Sequence, residues 1–391
     1  MSEFRIGILN LSSHENYVRS VAEIAVELGP VSIFTTSSIY ERVGGSSAFD
    51  VPPDEWDLKG HSESKREYLA RVEQRASEHI DILISFPFYG HVFDYTAYVN
   101  FEPDCEYLLY SFDINSMLGR NPTFIPKIYN YLKYPMKKAI LQRVDRLLVE
   151  FSPIAEYVSS TNSSVDVETF TPILSNSVES DSSKDKHNQQ ERDSLTVTIP
   201  GMIDSTRRNY DEVLEALNAL SQERKEEIEL VLLGKPVGDY GSTVIQRAKS
   251  LENEGVKLEY YTDWIPTDTF AKKLNSTDLL VSPLCRQRPI DGFVEEYGKS
   301  KGSGAISDAI SYATPLLFPS WFEVPELAEP GIHTYRDEAD LQEMFTELLN
   351  DSDYRREWFN GAQEMARRYS KSKQKERLQR IVDKTKSDSN D

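Results

Sequence analysis

Short apolar runs alternate with helical patterns along most of this 391-residue chain. Each run is as long as one strand and has apolar side chains on both faces, which is typical of parallel sheets covered by helices on both sides. The predicted strands cover residues 5–10, 31–36, 81–87, 106–112, 146–152, then 195–201, 228–234, 256–262, 278–284 and 315–320. The predicted helices between them cover residues 15–28, 64–79, 123–144, 210–220, 241–253, 268–275 and 304–313. This pattern predicts an α/β fold with two Rossmann-like, doubly wound parallel-sheet domains.

A polar segment separates the two groups of strands. Residues 175–194 read SNSVESDSSKDKHNQQERDS and are almost free of apolar side chains, so they cannot bury enough surface to order themselves. We therefore predict a first domain over 1–174, a flexible linker over 175–194 and a second domain over 195–360. Helical patterns continue at 338–350, 352–369 and 371–385, and we expect residues 361–391 to cross back toward the first domain and end in a frayed tail.

Composition excludes several classes of protein. The net charge of −20 argues against a nucleic-acid binder, whose phosphate contacts need a basic face. Cys105 and Cys285 stand far apart without metal-ligand spacing, so neither a disulfide framework nor a zinc site is predicted. No apolar run is long enough to span a membrane, and the first residues, MSEFRIGILN, lack the pattern of a signal peptide. A cytoplasmic protein, soluble or peripheral at a membrane, is the expectation.

The segment from Glu295 to Pro319, EEYGKSKGSGAISDAISYATPLLFP, has the composition of a phosphate site. Two lysines and a Ser-Gly turn come directly before an apolar helix, between two predicted strands. Backbone N–H groups of the turn and the positive end of the helix would point at one anion. The alternative is a solvated loop whose glycines only serve to start a helix.

Four segments together resemble the retaining glycosyltransferase family 4 enzymes, which have the GT-B fold of two Rossmann-like domains facing a cleft. They are IPGMIDSTRRNYDEVLEAL (199–217), ELVLLGKPV (229–237), LEYYTDWIPTDTFAKKLNSTDLLVSPL (258–284) and the turn segment just described. The resemblance implies that the first domain binds a hydroxyl acceptor and the second a nucleotide-diphosphate sugar. This donor is a substrate, and no separate cofactor is expected.

The resemblance also implies which residues bind the donor. The positive groups expected around its diphosphate, together with the turn, are Arg207, Arg208, Lys299, Lys301, Ser303 and Gly304. Trp264 and Ile265 would line the base pocket, Lys235 would contact a phosphate or the ribose, and Asp308 would hold the ribose hydroxyls. Each has a simpler alternative: a core aromatic for Trp264, a solvated lysine for Lys235, and a helix cap or ion pair for Asp308.

The sequence departs from the family at one catalytic position. Family members carry a Glu-x7-Glu motif across the phosphate turn, and counting back from Asp308 places Ser300 where the first acid is expected. Glu295 or Glu296 would replace it from a slightly longer loop, and Glu296 is the predicted sugar ligand. The broken motif indicates a divergent member and leaves an inactive member open.

Four polar residues at the carboxyl ends of first-domain strands are candidates for the acceptor side: His14, His91 and Asp113 with Asn115. Asp113, His91 and His14 would orient or deprotonate an acceptor hydroxyl, and the first two are the predicted catalytic residues beside Glu296. Helix capping is the alternative for His91 and Asp113.

Between Ile114 and Val144 the local charge is positive, in contrast to the rest of the chain. This segment has no acid, and basic and aromatic residues interleave in it: Arg120, Phe124, Lys127, Tyr129, Tyr131, Lys133, Tyr134, Lys137, Lys138 and Arg143. Such a pattern favours an anionic membrane surface, where it would bring a lipid-linked acceptor to the cleft. The alternative is a basic helix that pairs with acids of its own fold.

Three functions are therefore open at this stage. The first is a hexosyltransferase that moves a sugar to a glycan or lipid-linked acceptor with retention. It would need no metal, because no Asp-x-Asp dyad follows a strand and cations can stabilise the leaving diphosphate. The second is an inactive homologue that serves as a binding or partner subunit. The third is a sugar-nucleotide isomerase or phosphorylase of the same fold.

Overall fold

Two parallel sheets organise the chain, and the computed structural model describes residues 4–12, 14–45, 51–123, 128–162, 164–175 and 194–388. Residues 176–193 of the predicted linker and 389–391 of the predicted tail lie outside the described residues. The first sheet consists of β1 (Ile6–Leu9), β2 (Val31–Thr36), β3 (Trp56–Lys59), β4 (Ile82–Ser85), β5 (Glu106–Tyr110), β6 (Arg146–Val149) and β7 (Asp166–Thr169). Its helices are α1 (Glu15–Ala25), α2 (Ser37–Arg42), α3 (Lys65–His79), α4 (Val92–Val99), α5 (Ile114–Leu118), α6 (Ile128–Leu141) and α7 (Ser152–Thr161).

The second sheet and a hairpin follow residue 194. Their strands are β8 (Leu195–Pro200), β9 (Ile228–Leu233), β10 (Lys257–Tyr260), β11 (Leu279–Val281), β12 (Gln287–Ile290), β13 (Phe293–Glu296), β14 (Leu316–Pro319) and β15 (Ile332–Tyr335). The helices are α8 (Tyr210–Asn218), α9 (Gln222–Glu226), α10 (Gly238–Asn253), α11 (Thr267–Asn275), α12 (Gly304–Tyr312), α13 (Glu338–Asn350), α14 (Ser352–Arg368) and α15 (Lys371–Asp388).

Strand order confirms the predicted doubly wound domains. The first sheet has the order β3-β2-β1-β4-β5-β6-β7 and the second β10-β9-β8-β11-β14-β15, with every neighbouring pair parallel. Each sheet starts at a central strand and reverses direction beside it, between β1 and β4 and between β8 and β11. Loops leave the carboxyl edge on opposite faces at these two points, which opens a crevice for ligands.

Central strands are fully buried, which explains their continuous apolar sequences. In β1, Ile6 and Ile8 have no exposed surface and pair with residues of both β2 and β4. Burying such a side chain contributes about 1.5–3 kcal/mol to folding. The ten predicted strands are all present.

Of the edge strands of the two sheets, only β10 lies in a predicted segment, 256–262, and the others were missed. The strands β3, β7 and β15 have polar residues within four-residue segments, WDLK, DVET and IHTY, because an edge strand has one neighbour and a partly exposed face. The antiparallel hairpin β12–β13 and helices α4 and α7 were also missed. Of these, the hairpin matters most, since it carries the chain from β11 into the turn before α12.

The last helix packs on the first domain. Leu378, Ile381 and Val382 of α15 are buried among the apolar residues of that domain. Arg146 of β6 donates a hydrogen bond from Nη2 to Oγ1 of Thr385 at 2.5 Å. The two domains are thus joined a second time between α14 and α15. No helix within the described ranges is long and apolar enough to cross a membrane.

Candidate functional site

The turn before α12 lies at the carboxyl edge of the second sheet, beside its reversal point. Ser303 is the N-cap of α12, and its Oγ accepts a long hydrogen bond from the Ala305 N–H at 3.4 Å. Gly304 is exposed, and a Cβ there would meet no atom within 4 Å. The first turn of the helix is therefore open to an anion on the Gly304 side.

The other side of this turn is closed by an acid of the first domain. A Cβ on Gly302 would overlap Oε2 of Glu150, so only glycine fits at this approach of the two domains. Tyr17 of α1 donates its hydroxyl to Oε1 of Glu150 at 2.5 Å. Burial raises the pKa of Glu150, the Tyr17 hydrogen bond opposes that rise, and burial raises the pKa of Tyr17 well above its usual value.

Lys301 is held by the first domain as well. Its ammonium lies 2.6 Å from Oδ1 of Asp113, and both side chains are largely buried. Burial alone would lower the pKa of Lys301, but the Asp113 carboxylate outweighs it and the pKa is raised. His14 lies nearby in a left-handed conformation (φ 65°), with its ring tilted against that of Phe112 at 4.3 Å between centroids. Burial and the charge of Lys301 lower the pKa of His14 to about 4, so this imidazole is neutral.

Glu295 is a second-domain residue whose side chain contacts the first domain. This fully buried carboxylate of β13 accepts the backbone N–H groups of Asn115 at 3.0 Å and Ser116 at 2.7 Å, at the start of α5. The Ser300 hydroxyl donates to it at 2.7 Å. Burial raises the pKa of Glu295 to about 7. Ser300, at the position of the expected acid, thus supports its neighbour Glu295 at the domain interface.

The two predicted arginines lie on the loop after β8. The Arg208 guanidinium lies against Gly201, and its Nη1 makes a weak contact with the Met202 carbonyl at 3.4 Å. The Nε atoms of Arg207 and Arg208 are buried and make no hydrogen bond within the described residues. Arg207 lies 3.6 Å from Asp204. Arg208 lines a cavity of ≈ 350 Å³ at the carboxyl edge, together with Ser205.

Asp308 lies in a larger cavity between the domains. This space of ≈ 400 Å³ is bounded by α1, α11 and α12, with Phe270 and Tyr312 in its apolar wall. Burial raises the pKa of Asp308 to about 7, and the Arg208 charge opposes this rise. Arg208 and Asp308 line separate cavities, and contact of Asp308 with a ribose stays a prediction.

The remaining predicted donor residues lie at the margin. Trp264 is 76 % exposed and is therefore not part of the core. Ile265 packs partly buried against the apolar cluster shared by both domains. Lys235 is half-buried, and the structure gives its side chain no hydrogen bond or ion pair among the described residues. The Lys299 ammonium lies 5.6 Å from the ring centroid of Tyr157 in the first domain.

The predicted catalytic residues have different surroundings. Asp113 lies on the cleft in the pair with Lys301 and lines a small cavity of ≈ 30 Å³ at the ends of β4 and β5. His91 is exposed, and its backbone N–H donates to Oδ2 of Asp94 at 2.8 Å at the start of α4. Glu296 accepts a hydrogen bond from Arg286 at 2.8 Å across the hairpin. The Asp113 side chain thus reaches the turn before α12 from the first domain, whereas Glu296 belongs to that turn through its backbone and directs its carboxylate to Arg286.

The basic segment 120–143 pairs with its own fold at several points. Lys133 and Lys137 are buried and lie 3.2 and 3.5 Å from the carboxylate of Asp291. Lys137 also donates to Oγ of Ser116 at 2.6 Å, whereas Lys138 is exposed. Residues 124–127 and the side chains of 128–131 lie outside the described part. These contacts favour the alternative of a basic helix paired with an acid of its own fold.

Sequence reasoning missed Tyr17 and Glu150. Both were assigned to ordinary elements, Tyr17 to the first helix and Glu150 to an apolar strand. The available signal was the acid in RLLVEFS: a carboxylate at the end of a buried strand must be neutral, paired or part of a site.

Several solved structures share this architecture over nearly their full length. Sucrose-phosphate synthase from Thermosynechococcus elongatus is 12 % identical with a TM-score of 0.63, covering 98 % of this chain and 99 % of that one. Alr3699/HepE of Anabaena, solved with UDP and glucose, is 13 % identical with a TM-score of 0.63, covering 97 % and 99 %. A glycosyltransferase from Rickettsia africae is 10 % identical with a TM-score of 0.62, covering 98 % and 99 %.

No protein-family model matches the sequence, and a search of curated proteins gave no match. At such low identities the likeness concerns the fold, and it extends over nearly the full length of every chain compared. With its two facing Rossmann-like domains and returning last helix, the chain has the GT-B fold found in these glycosyltransferases.

Proposed function

We propose that this chain is a glycosyltransferase of the family 4 type, which moves a sugar from a nucleotide-diphosphate sugar to a hydroxyl of a glycan or lipid-linked sugar, with retention and without a metal. The GT-B fold supports sugar transfer in general. The observation that carries the proposal is the arrangement around α12. It combines an open helix N-terminus at Gly304, an Arg208 that forms no ion pair among the described residues, and the buried acid Asp308.

These groups have separate tasks in the proposed reaction. The helix N-terminus, Arg208 and Lys301 stabilise the charge that develops on the leaving diphosphate, and Asp308 accepts the ribose hydroxyls. Guanidinium suits this task because its planar fork can donate two parallel hydrogen bonds to phosphate oxygens.

Asp113 competes with the donor for Lys301. Since the carboxylate lies 2.6 Å from the ammonium, a diphosphate at the turn has to share or replace this contact. A carboxylate released from Lys301 at the cleft can accept the proton of the incoming hydroxyl. The ≈ 30 Å³ cavity beside Asp113 is too small for a sugar, so acceptor binding requires the loops after β4 and β5 to move.

A second candidate is a homologue that binds the nucleotide without turnover. Both acids that would replace the missing first Glu are already engaged, Glu295 with the start of α5 and Glu296 with Arg286. Both carboxylates thus bind other groups of the protein, in positions where an active enzyme would need an acid for the donor sugar.

A thermal-shift panel of UDP and GDP sugars, followed by an assay of nucleotide release, tests both candidates. Ligand at 100 times its Kd stabilises the protein by about 2.7 kcal/mol. We expect one nucleotide series to raise Tm, and the rise to disappear in Arg208→Ala/Lys301→Ala, measured against the Tm of that variant alone. Arg356→Ala, an exposed arginine of α14, is the matched control.

The outcomes separate the candidates. Stabilisation with turnover supports the transferase, and stabilisation without turnover on any acceptor supports the binding homologue. A flat panel, or stabilisation that survives in the double variant, contradicts a donor site at α12.

Attachment of segment 120–143 to a membrane remains a prediction. We expect sedimentation with anionic liposomes to weaken on Lys138→Glu, because Lys138 is exposed and its change leaves the Lys137–Asp291 contact intact. Absence of sedimentation, or sedimentation unchanged by this substitution, contradicts it.

A further inference from the structure

A second cavity lies between the domains, on the side of Glu150 toward the last helix. It measures ≈ 300 Å³ and is bounded by the carboxyl ends of β6 and β7, by the Pro325–Leu327 segment and by α15. This volume is at the lower end of the roughly 300–1,000 Å³ of small-molecule sites. None of the residues predicted to bind the donor lines it.

Two arginines of α15 supply positive charge to this cavity. Arg377 and Arg380 are three residues apart and so lie on one face of the helix. Arg377 donates to Oε1 of Gln374 at 3.0 Å and lies 5.2 Å from the ring centroid of Tyr369. Arg380 contacts the Glu376 carbonyl at 3.4 Å.

Neither guanidinium forms an ion pair with an acid of the described residues, although the chain has 64 acids against 44 lysines and arginines. Most arginines described in this structure do have such a partner. Burial lowers the pKa of Arg377, and the neighbouring Arg380 lowers it further. Arg377 is half-buried and Arg380 is exposed, so solvent screens part of their repulsion, and a bound anion would remove the rest.

Two hydroxyls face the same space. Ser152 and Thr169 line the cavity, and the structure gives neither hydroxyl a hydrogen-bond partner among the described residues. Ser152 is also the first residue of α7, a ten-residue helix. Hydroxyl donors from α7 and β7 and guanidinium donors from α15 thus face the same cavity.

Neither acid in the wall forms an ion pair with these arginines among the described residues. Burial raises the pKa of Glu150, which accepts the hydrogen bond from Tyr17 on its other side. Glu326 is exposed at the rim, where solvent and salt screen its charge. Phe151 and the exposed Leu327 give the cavity an apolar side.

We propose that this cavity is a binding site for a phosphate monoester of a small hydroxylated molecule, separate from the donor site. The phosphate lies between Arg377, Arg380 and the two hydroxyls, because a dianion matches two guanidinium groups and can accept hydrogen bonds from both hydroxyls. The carbon skeleton fills the rest of the space against Phe151 and Leu327. A bare phosphate ion would leave that part of the cavity to water.

Calorimetric titration of the full chain at low salt tests this site, with glucose 6-phosphate and glycerol 3-phosphate as probes and inorganic phosphate and glucose as comparisons. We expect both esters to bind more tightly than inorganic phosphate, and glucose not to bind. Arg377→Gln/Arg380→Gln should weaken ester binding at least tenfold, whereas Arg356→Gln/Arg367→Gln on α14 should leave it unchanged.

A second variant keeps the test decisive if the double substitution disturbs α15. Ser152→Glu places a carboxylate among the arginines at the first position of α7, where an acid favours the helix, so we expect a folded protein that no longer binds the esters. Ester binding that persists in both variants overturns the proposal, as does the absence of saturable binding to the unmodified chain.

The donor site is distinguished by competition. Ester binding to the cavity should survive in Arg208→Ala/Lys301→Ala and in saturating UDP. Loss of ester binding under either condition would place the phosphate at α12 and overturn the proposal, whatever the outcome of the nucleotide panel.

Discussion

Gly302→Ala tests whether the two domains meet at the phosphate turn as described. The new Cβ would overlap Oε2 of Glu150 and lie 3.1 Å from Cε2 of Phe151. Glu150 cannot simply swing away, because it is buried and accepts the 2.5 Å hydrogen bond from Tyr17. Overpacking of this kind costs about 1–3 kcal/mol.

Gly304→Ala is the matched control, two residues along the same turn. A Cβ on Gly304 meets nothing within 4 Å, so this substitution should be neutral or stabilise by about 0.4–1 kcal/mol through the unfolded chain. A loss of 2 kcal/mol lowers Tm by roughly 4–8 °C in a domain of 150–250 residues. Calorimetry and urea unfolding should therefore separate Gly302→Ala from Gly304→Ala clearly.

A double-mutant cycle identifies the cause. In a Glu150→Ala background the obstructing carboxylate is gone, so Gly302→Ala should cost much less than in the unmodified chain. Equal stability of the two glycine variants would refute the close approach of Glu150 to the turn. If Gly302→Ala destabilises the Glu150→Ala protein as much as the unmodified chain, overlap with Glu150 is not the cause of the loss.

Three further changes give distinct expected results. Asp113→Asn should destabilise by about 3–5 kcal/mol because it leaves a buried ammonium without its partner, and Asp113→Asn/Lys301→Met should recover part of that loss in urea unfolding; additive losses would argue against the pair. Burial raises the pKa of Glu295 to about 7, so the folded state holds this proton where the unfolded state has lost it. The free energy of unfolding should therefore fall as pH rises from about 4.5 to 7, and Glu295→Gln should reduce this dependence. Thermal unfolding across that pH range measures it, and an unchanged dependence in the variant contradicts the raised pKa of Glu295. Lys137→Ala removes the contacts to Ser116 and Asp291 and should destabilise the protein by about 1–3 kcal/mol. Lys138→Ala changes an adjacent, exposed side chain and should alter stability by no more than about 0.5 kcal/mol. Equal losses in the two variants would contradict the buried contacts of Lys137.

Continuous apolar strands made the two domains predictable from the sequence. Runs such as RIGILN and IELVLLG, separated by helical patterns, indicate strands of a parallel sheet, because strands buried on both faces are apolar throughout. The edge strand DVET and the hairpin β12–β13 carry no such pattern, because their residues are partly exposed and their pairing depends on neighbours distant in sequence.

The candidate site was predictable only where local chemistry determines it. Ser303, Gly304 and Arg208 follow from the needs of an anion at a helix N-terminus. The partners of Lys301 and Glu295 lie 188 and 179–180 residues away in sequence, so only the packing of the two domains shows that these charges hold the interface. Trp264 is 76 % exposed, which excludes the alternative of a core aromatic, and its place in the base pocket stays a prediction.

The return of α15 to the first domain has a consequence for synthesis of the chain. Leu378, Ile381 and Val382 complete an apolar cluster whose other members come from residues before 175. While the ribosome is still making the second domain, that cluster has an uncovered side, and the nascent first domain cannot reach its final stability. We therefore expect the first domain to reach its final stability only after residues 371–388 have left the ribosome.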